Sequence, residues 1–138
     1  MKTKLDEVMG WFFFLVFAGV FLCGVVVAYR QYPIVITVSF ASVFLGAGLN
    51  TLVRKLNGWQ MPVKIFNENM RRDVLLSSGH CEMTDASCCK LLADRLYVPL
   101  GKSYYVFSVG DCLIYGGIGL LGFAIVFAVP SFLAALFL

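Results

Sequence analysis

Three long runs without charge dominate the pattern of this chain. Residues 8–29, 31–53 and 112–138 contain no Asp, Glu, Lys or Arg. A helix needs about 20 residues, at about 1.5 Å each, to cross the roughly 30 Å hydrocarbon layer of a bilayer. The pattern therefore predicts three transmembrane helices, at about residues 8–29, 33–53 and 109–129.

A polar segment of about 50 residues, 54–107, separates the second and third predicted spans. Within it, Asn67–Leu76 is predicted to form a short helix. Thr84–Leu96 is predicted to form a second, because its cysteines and leucines recur at helical spacing behind a capping Thr or Asp. We therefore expect an all-α membrane protein, a single domain over residues 1–138 whose loop carries one or two short helices.

Composition supports a membrane protein. Hydrophobic residues make up 60% of the chain and charged residues only 14%, whereas soluble domains are about half apolar and about a quarter charged. The net charge of +3 comes without a clustered basic stripe, so the sequence predicts membrane lipid as a partner and no nucleic acid.

The basic residues predict an orientation. Arg30 alone lies between the first two spans, while every other Lys and Arg lies in the amino-terminal tail or in residues 54–107. The positive-inside rule then places the amino terminus and the loop in the cytoplasm of a bacterial inner membrane, with the carboxyl terminus outside. The first span is expected to be retained, because its apolar run exceeds the roughly 7–15 residues of a signal peptide. The basic residues predicted to meet lipid headgroups are Arg54, Lys55, Arg71 and Arg72.

Small and polar residues form a stripe on each of two predicted spans. Helices associate in a bilayer through close backbone approach and polar side chains. We expect these stripes to form a packing seam rather than a polar path, because one amide and two hydroxyls are too few for a channel. The stripes are Ser39, Ser42, Gly46 and Asn50 on the second span, and Cys112, Gly116, Gly119 and Gly122 on the third.

Asp111 stands where the last span begins. Ser108-Val109-Gly110-Asp111 matches a capping box, in which the Ser108 hydroxyl accepts from the Asp111 amide and the carboxylate accepts from the Ser108 amide. A carboxylate there also meets the positive end of the helix dipole. We therefore interpret Ser108 and Asp111 as a helix cap and not as a catalytic pair.

Four soft ligands lie within ten residues: His80, Cys81, Cys88 and Cys89. Zinc sites usually space paired ligands two to four residues apart, whereas here both pairs are adjacent in sequence. Thiols isolated in a reducing cytoplasm are therefore the favoured interpretation, and no metal, cofactor or catalytic residue is assigned. A membrane-bound redox or metal protein using these four residues stays as the alternative.

Three stretches together resemble a family of small bacterial integral membrane proteins known as a domain of unknown function. They are Met61–Val63 (MPV), Gly79–Gly101 (GHCEMTDASCCKLLADRLYVPLG) and Phe107–Ile118 (FSVGDCLIYGGI), and the match is limited to about residues 57–125. The resemblance implies a bacterial origin but no reaction. The positions that match its motifs are His80, Thr84, Leu92, Asp94, Pro99, Ser108, Gly110 and Asp111.

The packing stripes, the apolar carboxyl-terminal tail and the absence of a convergent catalytic set favour a structural or accessory function. We expect a small subunit that docks to a larger membrane complex or to a second copy of itself, and we expect it not to be an enzyme.

Overall fold

The computed structural model describes the backbone of residues 4–101 and 103–137, and the side chains of residues 14–101, 103–128, 130 and 134. Of the basic residues that predict the orientation, Lys2, Lys102 and the side chain of Lys4 lie outside this part. In chain order the elements are α1 (Lys4–Gln31), α2 (Pro33–Leu56), β1 (Met61–Val63), α3 (Glu68–Leu76), β2 (His80–Glu82), β3 (Leu96–Leu100), β4 (Ser103–Phe107) and α4 (Val109–Phe137).

Three helices are long and apolar enough to cross a bilayer, which confirms the three predicted spans. The qualifying windows are Phe14–Gln31, Pro33–Leu56 and Val109–Ala128, with mean hydropathies of 1.8, 1.7 and 1.9. Pro33 opens α2, at a position where its missing N–H has no helical partner to lose.

All three long helices extend beyond their predicted spans, and α1 covers Lys4–Gln31 instead of about 8–29. Helix α2 continues to Leu56 instead of ending near residue 53, because Arg54 and Lys55 are favourable in a last turn, next to the negative end of the helix dipole. Helix α4 continues through Pro130 to Phe137, beyond the predicted end of the span at about residue 129. Transmembrane helices tolerate proline, since neighbouring groups satisfy the freed carbonyl.

We expected only helices between α2 and α4, but this segment also contains strands. It contains one helix and four strands, which form two separate two-stranded sheets. Strands β1 and β2 are parallel, with Met61 opposite His80, and β3 and β4 form an antiparallel hairpin with Leu96 opposite Phe107.

Of the two helices predicted for this segment, only the first is present. Helix α3 follows Asn67, whose side chain accepts from the Met70 amide at 2.8 Å and so caps the helix. The predicted helix at Thr84–Leu96 is wrong, because this stretch consists of turns and the beginning of β3. Cys89 has a φ of 53°, in the left-handed region that ends a right-handed helix.

The chain divides into two compact units. The first comprises residues up to Ser39 together with those from Gly119 onward. Its buried cluster consists of Ala28, Ile36, Ala124 and Ala128, and small side chains of this kind let helices approach closely.

The second unit, residues 40–118, holds the loop and the adjoining ends of α2 and α4. Strand β1 lies between two apolar clusters: Met61 packs with Val53, and Val63 packs with Met70. Asp94 pairs with the same strand through its backbone, donating to the Pro62 carbonyl at 3.1 Å and accepting from the Lys64 amide at 2.8 Å. The side chain of Asp94 is thereby held close to His80 of β2.

Candidate functional site

The beginning of α4 is hydrogen-bonded to α2 by three side chains, which we call the Asn50 latch: Asn50, Ser108 and Asp111. The Ser108 Oγ accepts from the Asp111 amide and an Asp111 oxygen accepts from the Ser108 amide, both at 2.9 Å. Asn50 adds two bonds between helices, because its Nδ2 donates to Asp111 Oδ1 and its Oδ1 accepts from Ser108 Oγ, both at 2.8 Å. The cap of α4 is therefore also a contact with α2.

Two glycines allow this contact. A Cβ added at Gly110 would overlap the Asn50 side chain and lie 2.7 Å from the Gly46 carbonyl oxygen. A Cβ added at Gly46 would overlap the Gly110 carbonyl and lie 2.9 Å from Ile114 Cγ1. The backbones of α2 and α4 therefore come into contact at Gly46 and Gly110. A side chain at either position would prevent this close approach.

The predicted packing seam is displaced on α4. On α2, Gly46 and Asn50 face α4, while Ser39 is buried with its hydroxyl bonded to the Val35 carbonyl of its own helix at 2.7 Å and Ser42 is half-buried. On α4 the contacts come instead from Gly110, Leu113 and Ile114. The predicted residues Cys112, Gly116, Gly119 and Gly122 are exposed, and a Cβ at any of these three glycines would meet nothing within 4 Å.

A second polar group lies where β2 meets Asp94. Ser77 Oγ and His80 Nδ1 are 2.8 Å apart, and His80 Nε2 lies 3.8 Å from Asp94 Oδ2, which is longer than a hydrogen bond. The Asp94 residue is only 6% exposed. Its Oδ1 atom is buried and has no hydrogen-bond partner among the residues that the structure describes, an uncommon state for a buried polar atom.

Burial and neighbouring charges change the acidity of both groups. Burial raises the pKa of Asp94 to about 7, and the Asp111 carboxylate contributes to the increase. Burial lowers the pKa of His80, and the Arg54 guanidinium lowers it further, against a smaller opposing effect of Asp111. At neutral pH the carboxyl is therefore partly protonated and the imidazole largely neutral.

A cavity of about 210 Å³ adjoins this pair. Its polar lining is provided by Asp73, Ser77, His80, Asp94 and Tyr104, and its apolar wall by side chains of β1, α3 and β4. The Tyr104 hydroxyl donates to Asp73 Oδ2, and this bond is the first cause of a Tyr104 pKa raised to about 12. The cavity is an open pocket of the second unit, and its lining holds two carboxyl groups.

A family model described as "Family of unknown function (DUF5317)" matches residues 2–123 of the 138. The chain belongs to DUF5317. The match includes the first two spans of this DUF5317 protein, so membership extends beyond the residues 57–125 expected from the motifs. No curated protein and no solved structure matches the chain.

The structure places the residues that carried the resemblance in different parts of this DUF5317 chain. His80, Asp94 and Asp111 are close enough that the Asp111 charge affects the pKa of the other two, and Ser108 and Gly110 belong to the contact with α2. Three others lie outside the polar groups. Thr84 bonds Ser87 through its amide, Leu92 packs against the cluster that holds Val53, and Pro99 is exposed in β3.

The four candidate metal ligands of this DUF5317 chain do not converge. Among the described residues, no three side chains of His, Cys, Asp and Glu are grouped so that they could hold a metal ion. His80 and Cys81 are neighbours on β2 and so point to opposite faces, and Cys88 and Cys89 are exposed in turns. Burial raises the pKa of the Cys81 thiol, which disfavours a reactive thiolate.

The basic residues expected at lipid headgroups are all exposed: Arg54, Lys55, Arg71 and Arg72. Two of them have protein partners. Arg71 Nε lies 3.2 Å from Glu82 Oε2, and Arg54 Nε donates to the Trp59 carbonyl at 3.3 Å. Each of these contacts uses only one of the five N–H donors of an arginine side chain. The other donors of Arg54 and Arg71 can bind further groups.

Sequence reasoning missed two polar contacts that organise this unit. Asn57, expected only to end α2, donates to the Cys88 carbonyl at 3.1 Å and accepts from the Cys88 amide at 2.9 Å. Tyr104 and Asp73 are 31 residues apart, and no local pattern links them. The sequence signal for Asn57 was its place in an Asn-Gly pair, where an amide side chain often bonds nearby backbone.

Proposed function

We propose that this DUF5317 protein is an integral membrane protein of structural or accessory type. It docks to a larger membrane complex, or to a second copy of itself, through the face of α4 formed by Cys112, Gly116, Gly119 and Gly122, which we call the small-residue face.

The open space along the small-residue face carries this proposal. Its four residues are exposed, and a Cβ at any of the three glycines would meet no described atom within 4 Å. Helices gain little by moving apolar surface from lipid to protein, so they associate where small residues allow close backbone approach. A face of this kind suits a second helix better than lipid tails, which pack equally well on large side chains.

Apolar side chains outside the spans give further support. Leu75, Leu76 and Leu91 are 68%, 80% and 73% exposed, and none of them lies in a qualifying membrane window. Exposed leucines at the end of α3 and in the following turns are suited to a membrane surface or to a protein partner.

A matched pair of glycine variants tests the docking face. Gly119 and Gly48 both lie inside long helices, and neither has an atom within 4 Å of an added Cβ. Replacing either glycine by isoleucine should therefore change the stability of its helix by a similar amount, but only Gly119→Ile alters the small-residue face. Extraction from native membranes should recover the partner, or the second copy, with wild type and Gly48→Ile and should lose it with Gly119→Ile. Equal recovery with all three proteins would contradict the proposal.

We propose further that the protein lies in a bacterial inner membrane with its amino terminus and residues 54–107 in the cytoplasm and its carboxyl terminus outside. The distribution of Lys and Arg supports this orientation. Cys88 and Cys89 are exposed, so a variant that keeps only these two cysteines reports the side directly. A membrane-impermeant maleimide should label this variant only after the cells are permeabilised. Labelling in intact spheroplasts would show that the protein has the opposite orientation.

A further inference from the structure

We propose that the cavity lined by His80 and Asp94 binds a primary ammonium group, with the Asp94 carboxylate as its counter-ion. This site is separate from the small-residue face and does not depend on the docking function.

The hydrogen-bonding groups of the cavity leave an acceptor without a donor. The Tyr104 hydroxyl already donates to Asp73, and Ser77 Oγ and His80 Nδ1 share one hydrogen bond. No described residue donates a hydrogen bond to Asp94 Oδ1, although the Asp94 side chain is only 9% exposed. A buried carboxylate oxygen without a donor is costly, so the group that completes this site must bring N–H or O–H.

Charge favours a cation over a neutral donor. Two carboxyl groups, Asp73 and Asp94, line the cavity, and the Asp111 charge also acts on Asp94. The lining imidazole of His80 is largely neutral, because burial and Arg54 lower its pKa. Among the described lining residues there is thus no Lys or Arg to balance Asp94.

Shape and apolar lining indicate the rest of the ligand. The apolar part of the lining consists of Val63, Met70, Val74 and Val106, and this surface suits a short alkyl chain better than a hydrated metal ion. The cavity measures about 210 Å³, and a water molecule takes about 30 Å³ of liquid volume. There is therefore room for an ammonium group that carries a short chain.

A primary ammonium has two sources beside a membrane: a free small amine and the headgroup of an ethanolamine phospholipid. Both present three N–H donors and one positive charge. A test must therefore first show that a primary ammonium binds, and then distinguish a free amine from the lipid headgroup.

The probe is n-propylammonium chloride, added to the full-length protein in nanodiscs of phosphatidylcholine, a lipid whose headgroup has no primary amine. We expect a saturable rise in the unfolding temperature. Tetramethylammonium chloride at the same ionic strength, which has no N–H, should give none. Replacing part of the phosphatidylcholine by phosphatidylethanolamine separates the sources. Weaker apparent binding of the probe assigns the site to the lipid headgroup, and unchanged binding assigns it to a free amine.

Asp94→Asn is the decisive variant, because it keeps the shape and removes the charge. A hydrogen bond to a charged group is worth about 1.5–3 kcal/mol, so affinity for the probe should fall at least about tenfold. Asp85→Asn is the matched control: it removes the same charge from a fully exposed carboxylate that pairs with Lys90 at 3.1 Å, outside the cavity. Equal loss in both variants, or no saturable effect in either lipid, would overturn the proposal.

The pH dependence of binding to wild type needs no variant. Because the proton and the ammonium compete for Asp94, whose pKa is raised to about 7, affinity should rise about tenfold from pH 6 to pH 8. Other groups around the cavity are Arg54 of α2, Asp73 of α3, His80 of β2, Tyr104 of β4 and Asp111 of α4. Loss of a proton from His80 over this range would add to the rise, so Asp94→Asn must also flatten it. Affinity that is constant with pH in wild type would contradict the proposal.

Discussion

Replacing Asn50 by alanine tests the latch that fixes the beginning of α4 to α2. The amide of Asn50 makes both interhelical hydrogen bonds, to Asp111 and from Ser108, each at 2.8 Å. Alanine removes both, whereas the two capping bonds between Ser108 and Asp111 can persist. The variant therefore reports the contact between helices rather than the cap.

The expected loss follows from the chemistry of the two bonds. A hydrogen bond to a charged group contributes about 1.5–3 kcal/mol and one between neutral groups about 0.5–1.5 kcal/mol. Asn50→Ala should therefore lower the free energy of unfolding by about 2–4 kcal/mol. The bonds lie in a half-buried site, so solvent can recover part of this amount and the lower end of the range is the safer expectation.

The assay is reversible unfolding in mixed micelles with increasing dodecyl sulfate, followed by tryptophan fluorescence. Thr51→Ala is the matched control: Thr51 is exposed, and its hydroxyl bonds the Ala47 carbonyl of its own helix at 2.8 Å. Its loss should stay within about 0.5 kcal/mol. A double-mutant cycle with Ser108→Ala should give a coupling energy of about 0.5–1.5 kcal/mol. If Asn50→Ala costs no more than Thr51→Ala, the latch does not hold the helices together.

Three further predictions concern other parts of residues 40–118. The folded-state pKa of Asp94 is raised from 3.8 to about 7. The stability that its protonation provides should therefore be complete below about pH 4 and lost as pH rises through about 7. The unfolding temperature should fall over this pH range in wild type and Asp85→Asn, but this fall should be absent in Asp94→Asn. Gly110→Ala should cost at least about 1–3 kcal/mol in the micelle assay, because its methyl group overlaps α2, and a neutral result would mean that the helices are further apart than described. Asn57→Ala should speed hydrogen exchange of the Cys88 amide, which loses its acceptor, and unchanged exchange would show that this contact does not hold the turn.

Length and charge were sufficient to predict the three spans. Each span is an uncharged run of at least 20 residues, and this signal does not depend on the rest of the fold. The capping motif at Ser108 could also be predicted, because its two hydrogen bonds join residues that are three positions apart in sequence. The hydrogen bonds to Asn50 could not be predicted, since they join residues 58 and 61 positions apart.

The strands could not be recognised because they are short or misleading. Strand β1 has three residues, too few to show alternation, and it is stabilised by pairing with distant residues. Thr84–Leu96 has helical periodicity, yet its backbone follows tertiary contacts: Asn57 bonds Cys88 and β1 pairs with Asp94. Only the β3–β4 hairpin had a usable signal, namely Gly101 between two runs of aromatic and β-branched residues.

The two stripes of small residues show a further limit of sequence patterns. Two residues of the stripe on α2, Gly46 and Asn50, lie against α4. On α4 the corresponding contact is at Gly110, which lies just before the first residue of the predicted stripe, Cys112, and outside its spacing. Periodicity identifies a face of a helix, but it does not say which neighbour that face meets.

The mass of the particle extracted with its native lipids tests the proposed docking function most directly. Native mass spectrometry of polymer-extracted membranes measures the chain together with whatever it binds. We predict a particle that contains a second copy or a larger membrane protein, and we predict that Gly119→Ile releases a single chain while Gly48→Ile does not. A wild-type particle with the mass of one 15.3 kDa chain and its lipids would contradict the account.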